Sequence, residues 1–263
     1  MADGMRQMSQ PSVTAVMLVN GRRKMACRAI RCFRAQTCPK HFRELLVWDT
    51  GEDDLRDEIA DLTVDGAARH FWLSESDKKI GTLRNDANGA CRSDIICHWD
   101  SDDWSHPQRI EEQVNLLIAS GADAVGYRDS LFWDTAYRGS NVTVSTDVNR
   151  RYVPGPANEA WFYQAQPLDR TQVVGSSLMY WRRTWERWSF LPDTSQGEEM
   201  RLANECNGNW VSSISTMRDA EPRMICAIHG ENTSHYGIEH RRGAQEWTRC
   251  PGWDKFCAER MRL

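Results

Sequence analysis

Hydrophobic and polar positions alternate between two periods along the first half of the chain. Residues Val13–Val19 (VTAVMLV) form a short apolar run rich in β-branched side chains, bounded by Pro11 and Asn20-Gly21, and predict a buried strand. Met25, Ala26, Ala29, Ile30 and Phe33 then recur at three- and four-residue steps, a helical period punctuated by Pro39. Residues 45–48 (LLVW) predict a second strand ending at Asp49-Thr50-Gly51, and Leu55, Ile59 and Leu62 a short amphipathic helix. Residues 69–73 predict a third strand; Ile80, Leu83, Ala87 and Ala90 predict another helix. Residues 95–99 predict a fourth strand that runs into Asp100-Ser101-Asp102-Asp103. Ser105 and Gln108 then read as a capping box for a helix carrying Ile110, Val114 and Leu117. Strands alternating with helices in this way predict an α/β fold with a mostly parallel sheet covered on both faces.

The second half reads differently. From residue 124 to about 179 the pattern is one of short strands, Gly/Pro turns and aromatics, including Tyr127, Phe132, Trp133, Tyr137 and Trp161. Residues 198–206 predict one helix and residues 224–228 a late strand, while Trp181, Trp185 and Trp188 fall at helical spacing and predict a core stripe. Arg241, Arg242, Arg249, Lys255, Arg260 and Arg262 give the C-terminal stretch, 236–263, the look of a basic tail with few apolar anchors. With no repeat and no low-complexity linker, the economical organisation is one domain, with an ordered α/β half at 12–120 and a mixed half at 121–235.

Composition narrows the class. No run approaches the roughly 18 apolar residues of a membrane-spanning helix, and residues 1–10 lack the apolar core of a secretory signal. Nine cysteines without a C-x-x-C pair fit reduced, mostly buried thiols in a cytoplasmic protein rather than a zinc ribbon or disulfide scaffold. A net charge of −4 argues against a nucleic-acid coat protein, although 28 of the 33 cations are arginine, the better fork for phosphate.

Candidate chemistry gathers at the strand ends. Asp100, Asp102 and Asp103 follow a buried strand, where ligands collect in open α/β sheets, and a divalent cation is one way to satisfy three crowded carboxylates. The alternative is an acidic first turn favoured by the next helix. Asp49, also at a strand end, can accept from a base or ribose or form an Asx turn. Arg84, early in a helix, can reach a diphosphate or stand exposed, and Asn20 and Arg22 are similarly open in role.

Taken in order, these segments resemble family 2 glycosyltransferases of the GT-A fold. Leu18-Val19-Asn20-Gly21-Arg22 resembles the family's T-x-N-R loop with an extra Gly. The run from Ala29-Ile30 to Gln36-Thr37-Cys38-Pro39 is similar to its A-I-x-S-x-L-x-Q-T-Y-P helix. Val47-Trp48-Asp49-Thr50-Gly51-Glu52 stands where the family has V-V-D-D-G-S, with Thr50 replacing the second Asp. The segment from Gly81 to Ala87 resembles G-x-x-x-A-R-N-x-A with two residues fewer, and Asp100-Ser101-Asp102-Asp103 resembles the L-D-x-D-D metal motif. The resemblance covers roughly residues 12–120.

It implies a Rossmann-like GT-A sheet and a metal-dependent, inverting transfer from a nucleotide-diphospho-sugar, with UDP-sugars favoured. Asp49 would meet the base or ribose, Asn20, Arg22 and Arg84 the donor, and Asp102 a Mn2+ or Mg2+ ion, with Asp100 and Asp103 assisting. Glu198-Glu199 resembles the family's E-D acceptor motif, which would make Glu199, or else Glu198, the general base. His229, followed by Gly230 to His235, resembles a C-terminal feature that completes the metal or meets the diphosphate. The acceptor, whether glycan, lipid, protein or nucleic-acid base, is open. A sugar nucleotidyltransferase would want a G-x-G-T-R loop that Asn20-Gly21-Arg22-Arg23-Lys24 does not supply. A catalytically silent nucleotide- or sugar-binding module would have no use for both an acidic cluster and a base.

Overall fold

The computed structural model describes residues 11–52, 54–73, 77–134, 158–164, 173–213, 221–229 and 247–262. Strand β1 (Val13–Val19) turns Val13, Ala15, Met17 and Val19 into one core cluster and Val16 into another, so the period-two pattern buries both of its faces. It pairs in parallel with β2 (Arg43–Asp49) on one side and β4 (Ile95–His98) on the other, and β3 (Ala68–Trp72) extends the sheet beyond β2. Beyond β4 lie β9 (Met179–Trp181), antiparallel to both its neighbours, then β6 (Ala124–Tyr127) and β10 (Gly208–Val211). The resulting seven-stranded order is β10-β6-β9-β4-β1-β2-β3, the expected mostly parallel sheet with β9 as its antiparallel member.

Helices cover the two faces. Helix α1 (Arg23–Arg34) lays Ala26, Ala29, Ile30 and Phe33 on the sheet without exposed surface. Burying Phe33 alone removes enough apolar area to contribute about 2–3 kcal/mol, and its ring meets Trp99 edge-on at 5.9 Å. Helix α2 (Ala60–Val64) adds Leu62 to that cluster. On the opposite face, α3 (Ile80–Gly89) packs Leu83 and Ala87 with Tyr180 and Phe190.

A second sheet carries the aromatic half. Its order is β12-β8-β7-β11-β5, built from β5 (Trp104–Ser105), β7 (Asp129–Asp134), β8 (Glu159–Gln164), β11 (Met224–Ile228) and β12 (Trp247–Arg249). Because β5 follows Asp103 directly, the acidic loop is the joint between the two sheets.

Four sequence expectations need correction. Ser105 does not cap helix α4 (Arg109–Ser120): it lies in β5 opposite Met224, where its Oγ accepts a 2.8 Å bond from Arg109. The capping falls instead to Gln36, whose Oε1 accepts the Ile110 N–H at 3.0 Å. The helix expected over 198–206 is shorter; α6 (Met200–Glu205) begins after both glutamates, with Glu199 at its N-cap. The three tryptophans do not form one helical stripe, because Trp181 closes β9 and α5 spans only Arg182–Arg187. Trp185 instead donates to Asn85 Oδ1 at 2.8 Å. Finally, residues 247–262 are no loose tail. Helix α7 (Asp254–Arg260) buries Cys257, followed by Met261, and Asp254 accepts the Ala160 N–H at 2.8 Å.

Among the described residues no helix is long and apolar enough to cross a membrane. All nine cysteines are free, with Cys32, Cys38, Cys91, Cys97, Cys226 and Cys257 buried.

Candidate active site

The parallel register brings the carboxyl ends of four strands to one edge: Val19 pairs with Asp49, Asp49 with Trp72, and Val16 with His98. The loops after β1, β2 and β4 therefore share one crevice, where an open α/β sheet binds its ligands. The first two loops touch backbone to backbone, and a side chain on Gly51 would run into the Gly21 nitrogen. Arg22, the residue before α1, takes the left-handed conformation (φ 57°, ψ 41°), which costs a non-glycine residue about 1–2 kcal/mol. That bend carries its guanidinium to Asp102 at 3.4 Å and to His229 at 3.3 Å. Asn20 stays exposed. Asp49 turns inward instead: its oxygens accept the Gly51 N–H at 2.9 Å, an Asx turn, and face His70 Nε2 at 3.3 Å.

One oxygen from each of Asp100, Asp102 and Asp103 lies within 4.8 Å of the others. These residues are not a helix's first turn, since α4 starts only at Arg109. Arg109 clamps the loop from below. Its Nη1 donates to Ser105 Oγ at 2.8 Å, and its Nη2 to the carbonyls of His98 and Ser176 at 2.9 Å each, so exit and re-entry of the loop share one guanidinium. From β11, Ala227 donates its N–H to Asp103 at 2.9 Å, and His229 Nε2 lies 3.0 Å from Asp102 Oδ2.

The charges are crowded. Burial and the neighbouring Asp102 and Asp100 hold the Asp103 carboxyl well above the usual carboxylate range. Burial also raises Asp100, which Arg84 only partly offsets. Asp102 goes the other way: burial opposes ionisation, but the hydrogen bond with His229 and the Arg22 charge hold it low. Clustered carboxylate oxygens are hard, anionic donors of the kind Mn2+ and Mg2+ take, and the adjacent imidazole adds a neutral nitrogen donor. The donor set fits such an ion.

Arg84 links this cluster to the second pair of carboxylates. It is neither an exposed helix cation nor a free arm. Nearly fully buried, it donates from Nε to Glu198 at 2.9 Å and from Nη2 to Asp100 at 3.0 Å, while its buried Nη1 has no partner. The N-terminus of α3 is already occupied: Ile80, Gly81 and Thr82 N–H groups bond to Ser195 Oγ, Thr194 O and Pro192 O. Beside Glu198, the half-buried Glu199 lies against Gly175, where an added Cβ would stand 2.5 Å from Glu199 Oε1. Burial and the adjacent Glu198 charge push the Glu199 carboxyl up to about 7. Below, the Gly175 carbonyl faces His98 Nδ1 at 2.8 Å, and burial keeps His98 neutral.

Hydrogen bonds thus tie Arg84 to Asp100 and Glu198, and Arg22 and His229 to Asp102, and the three clustered aspartates bring the two groups side by side. Residues 230–235, Arg241 and Arg242 lie outside the described residues. The sequence reading missed His70, His98 and Gly175, which act through partners distant in the chain, and Arg109, whose bonds to Ser105 and Gln113 are local but whose bond to Ser176 spans 67 residues. Only the position of Arg109 at a helix start carried any local signal.

Among solved structures the chain is similar to S. aureus TarS 1-349 (TM-score 0.58, 13% identity, covering 82% of this chain and 60% of that one). A similar match is TarS 1-349 in complex with UDP-GlcNAc (TM-score 0.57, 12% identity, 83% and 59% covered). A third is the mannosyltransferase PcManGT from Pyrobaculum calidifontis in complex with GDP-Man and Mn2+ (TM-score 0.57, 15% identity, 91% and 62% covered). The chain therefore spans about 60% of the length of these relatives. No curated protein matches it. The family model for glycosyl transferase family 2 matches residues 14–157, more than half of the chain, and the chain belongs to that family, with an α/β fold of the GT-A type.

Proposed function

We propose that the protein transfers a sugar from a nucleoside-diphosphate donor to an acceptor hydroxyl, with inversion, using Glu199 as general base. The observation that carries this reading is the pair of opposed environments joined by Arg84. Asp102 is held ionised within the acidic cluster, while Glu199, next to the Arg84-bound Glu198, is raised to about 7, where a base can both accept and release a proton near neutrality. Glu198, paired with a permanent cation, positions Arg84 and is the weaker candidate base.

Asp102, Asp100 and His229 would hold Mn2+ or Mg2+, with Asp103 orienting the loop; the ion, when bound, neutralises charge on the departing diphosphate. The acceptor oxygen attacks the anomeric carbon as Glu199 takes its proton, and the bond to the diphosphate oxygen breaks, its electron pair leaving with the nucleoside diphosphate. Arg84 Nη1, buried without a partner, has a hydrogen bond to give to the donor. Arg22 flanks the same side, and Asn20 and the Asp49 turn stand at the nucleoside end. A UDP-sugar is the favoured donor, in keeping with the nucleotides in the names of the TarS complexes.

Thermal unfolding with UDP, GDP, CMP and dTDP, each with and without Mn2+, tests the donor site. A ligand at about 100 times its Kd adds about 2.7 kcal/mol to the native state. A Mn2+-dependent rise with UDP, lost in Asp102→Asn, is expected; no shift with any nucleotide in a cooperatively melting protein overturns the reading.

A further inference from the structure

Behind the acidic loop, between α1, β5 and α7, lies a cavity of about 430 Å³ lined by Arg28, Arg31, Trp104, His106, Glu221 and Arg260 among others. Arg28 is 3% exposed, yet its charge meets no carboxylate at salt-bridge distance among the described residues. Its Nη1 donates to the Met261 carbonyl at 2.8 Å and its Nη2 to the Asp102 carbonyl, which leaves Nε buried with no partner. Arg109, equally buried, differs in having Nε, Nη1 and Nη2 all bonded. A buried guanidinium with an unmade bond is costly unless an anion joins it.

The surroundings are cationic. Arg31 shares the Arg28 face of α1, one turn along, and is exposed with no ion-pair partner among the described residues. Arg260 stacks on Phe256 at 4.7 Å and Trp104 at 5.8 Å, and reaches Glu221 at 3.7 Å. Burial and Arg223 keep His106 from charging near neutrality. Three guanidiniums from two helices thus line the cavity with one carboxylate, the half-exposed Glu221, which also lies 3.4 Å from His106 Nε2, while the Asp103 and Asp102 charges act on Arg28 from the acidic loop. Forks converging from several directions suit a tetrahedral oxyanion better than a single carboxylate, which one fork satisfies.

We propose that this cavity binds a small phosphate-type anion, held by Arg28 Nε, Arg31 and Arg260, with Glu221 as the internal anion it displaces. The site is separate from the donor crevice, although Arg28 also holds the backbone of Asp102 and so touches both.

The test is calorimetric titration of the full chain with inorganic phosphate and, in a second arm, glycerol 3-phosphate, in EDTA so that no metal recruits phosphate to the aspartates. Saturable one-to-one binding is expected, weakened about tenfold in Arg31→Ala and Arg260→Ala. Glu221→Gln is expected to tighten it, a gain that misfolding cannot mimic. Tighter binding of glycerol 3-phosphate identifies a phosphate ester as the ligand; equal or weaker binding identifies free phosphate. The proposal is overturned by no saturation up to about 10 mM, by unchanged binding in the two arginine variants, or by no tightening in Glu221→Gln.

Discussion

The carboxylate of Glu199 occupies the space a side chain on Gly175 would fill, with Oε1 2.5 Å from where that Cβ would stand. The missing side chain sets the position of the candidate base, because Gly175 opens a short turn whose carbonyl is fixed by His98. Gly175→Ala is expected to push the flexible end of Glu199 aside rather than break the fold. The measurable result is a stability change within about 1 kcal/mol beside a fall in kcat approaching 10²-fold, since displacements near 1 Å cost about that much. Equal loss in both, or no loss in kcat, contradicts this placement of Glu199.

Glu199→Gln separates activity from stability. As base, its removal lowers kcat by about 10²–10⁴-fold. Its carboxyl ionises near 7 in the fold rather than near the ordinary 4.5, so the folded state binds the proton more tightly than the unfolded one. That contribution is present at low pH and is lost as pH rises through about 7. The glutamine cannot ionise, so at pH 8 the variant should unfold with about 2 kcal/mol more stability than the parent. Denaturant melts at pH 5 and 8 check it; an equal effect at both rules out the raised carboxyl.

The rate of the parent enzyme should follow the same group. With base function confined to the ionised form, kcat/KM is expected to rise with pH and level off above about 7. A flat profile from pH 5 to 8 argues against Glu199 as the base.

Arg84→Met leaves Asp100 and Glu198 without their shared cation in a buried site. Removing one partner of a buried pair costs about 3–5 kcal/mol, and chemical denaturation should show a loss of that order. Arg84→Lys keeps the charge but cannot bond both carboxylates as the guanidinium fork does, so its loss should be intermediate.

In the proposed metal site His229 stands beside Asp102, its Nε2 3.0 Å from Asp102 Oδ2. His229→Ala should weaken Mn2+ affinity about 10- to 100-fold, while Asp102→Asn should abolish it; titration of the metal by calorimetry reads both. Unaltered Mn2+ affinity in both variants places the ion elsewhere.

Much of this was readable along the chain because local periodicity carries it. The strand of Val13–Val19, the helix around Ala26 to Phe33, and Asp100 to Asp103 at a strand end need only alternation, a three-to-four-residue step and a charge cluster to be seen. The motif order marked the family, which the match over residues 14–157 bears out. Long-range partners decided the rest. Gln36 rather than Ser105 caps α4 because β5 claims Ser105 for pairing with Met224, and that pairing exists only once the second sheet forms. Arg84 became a buried bridge, and not a surface cation, because the glutamates at 198–199 fold back onto α3 from more than 100 residues away. The C-terminal arginines looked like a solvated tail because their anchors, Asp254 on Ala160 and Arg28 on Met261, are single bonds between distant segments. A sequence states which side chains can bond; which of them meet is settled when chain entropy has been spent on closing those loops.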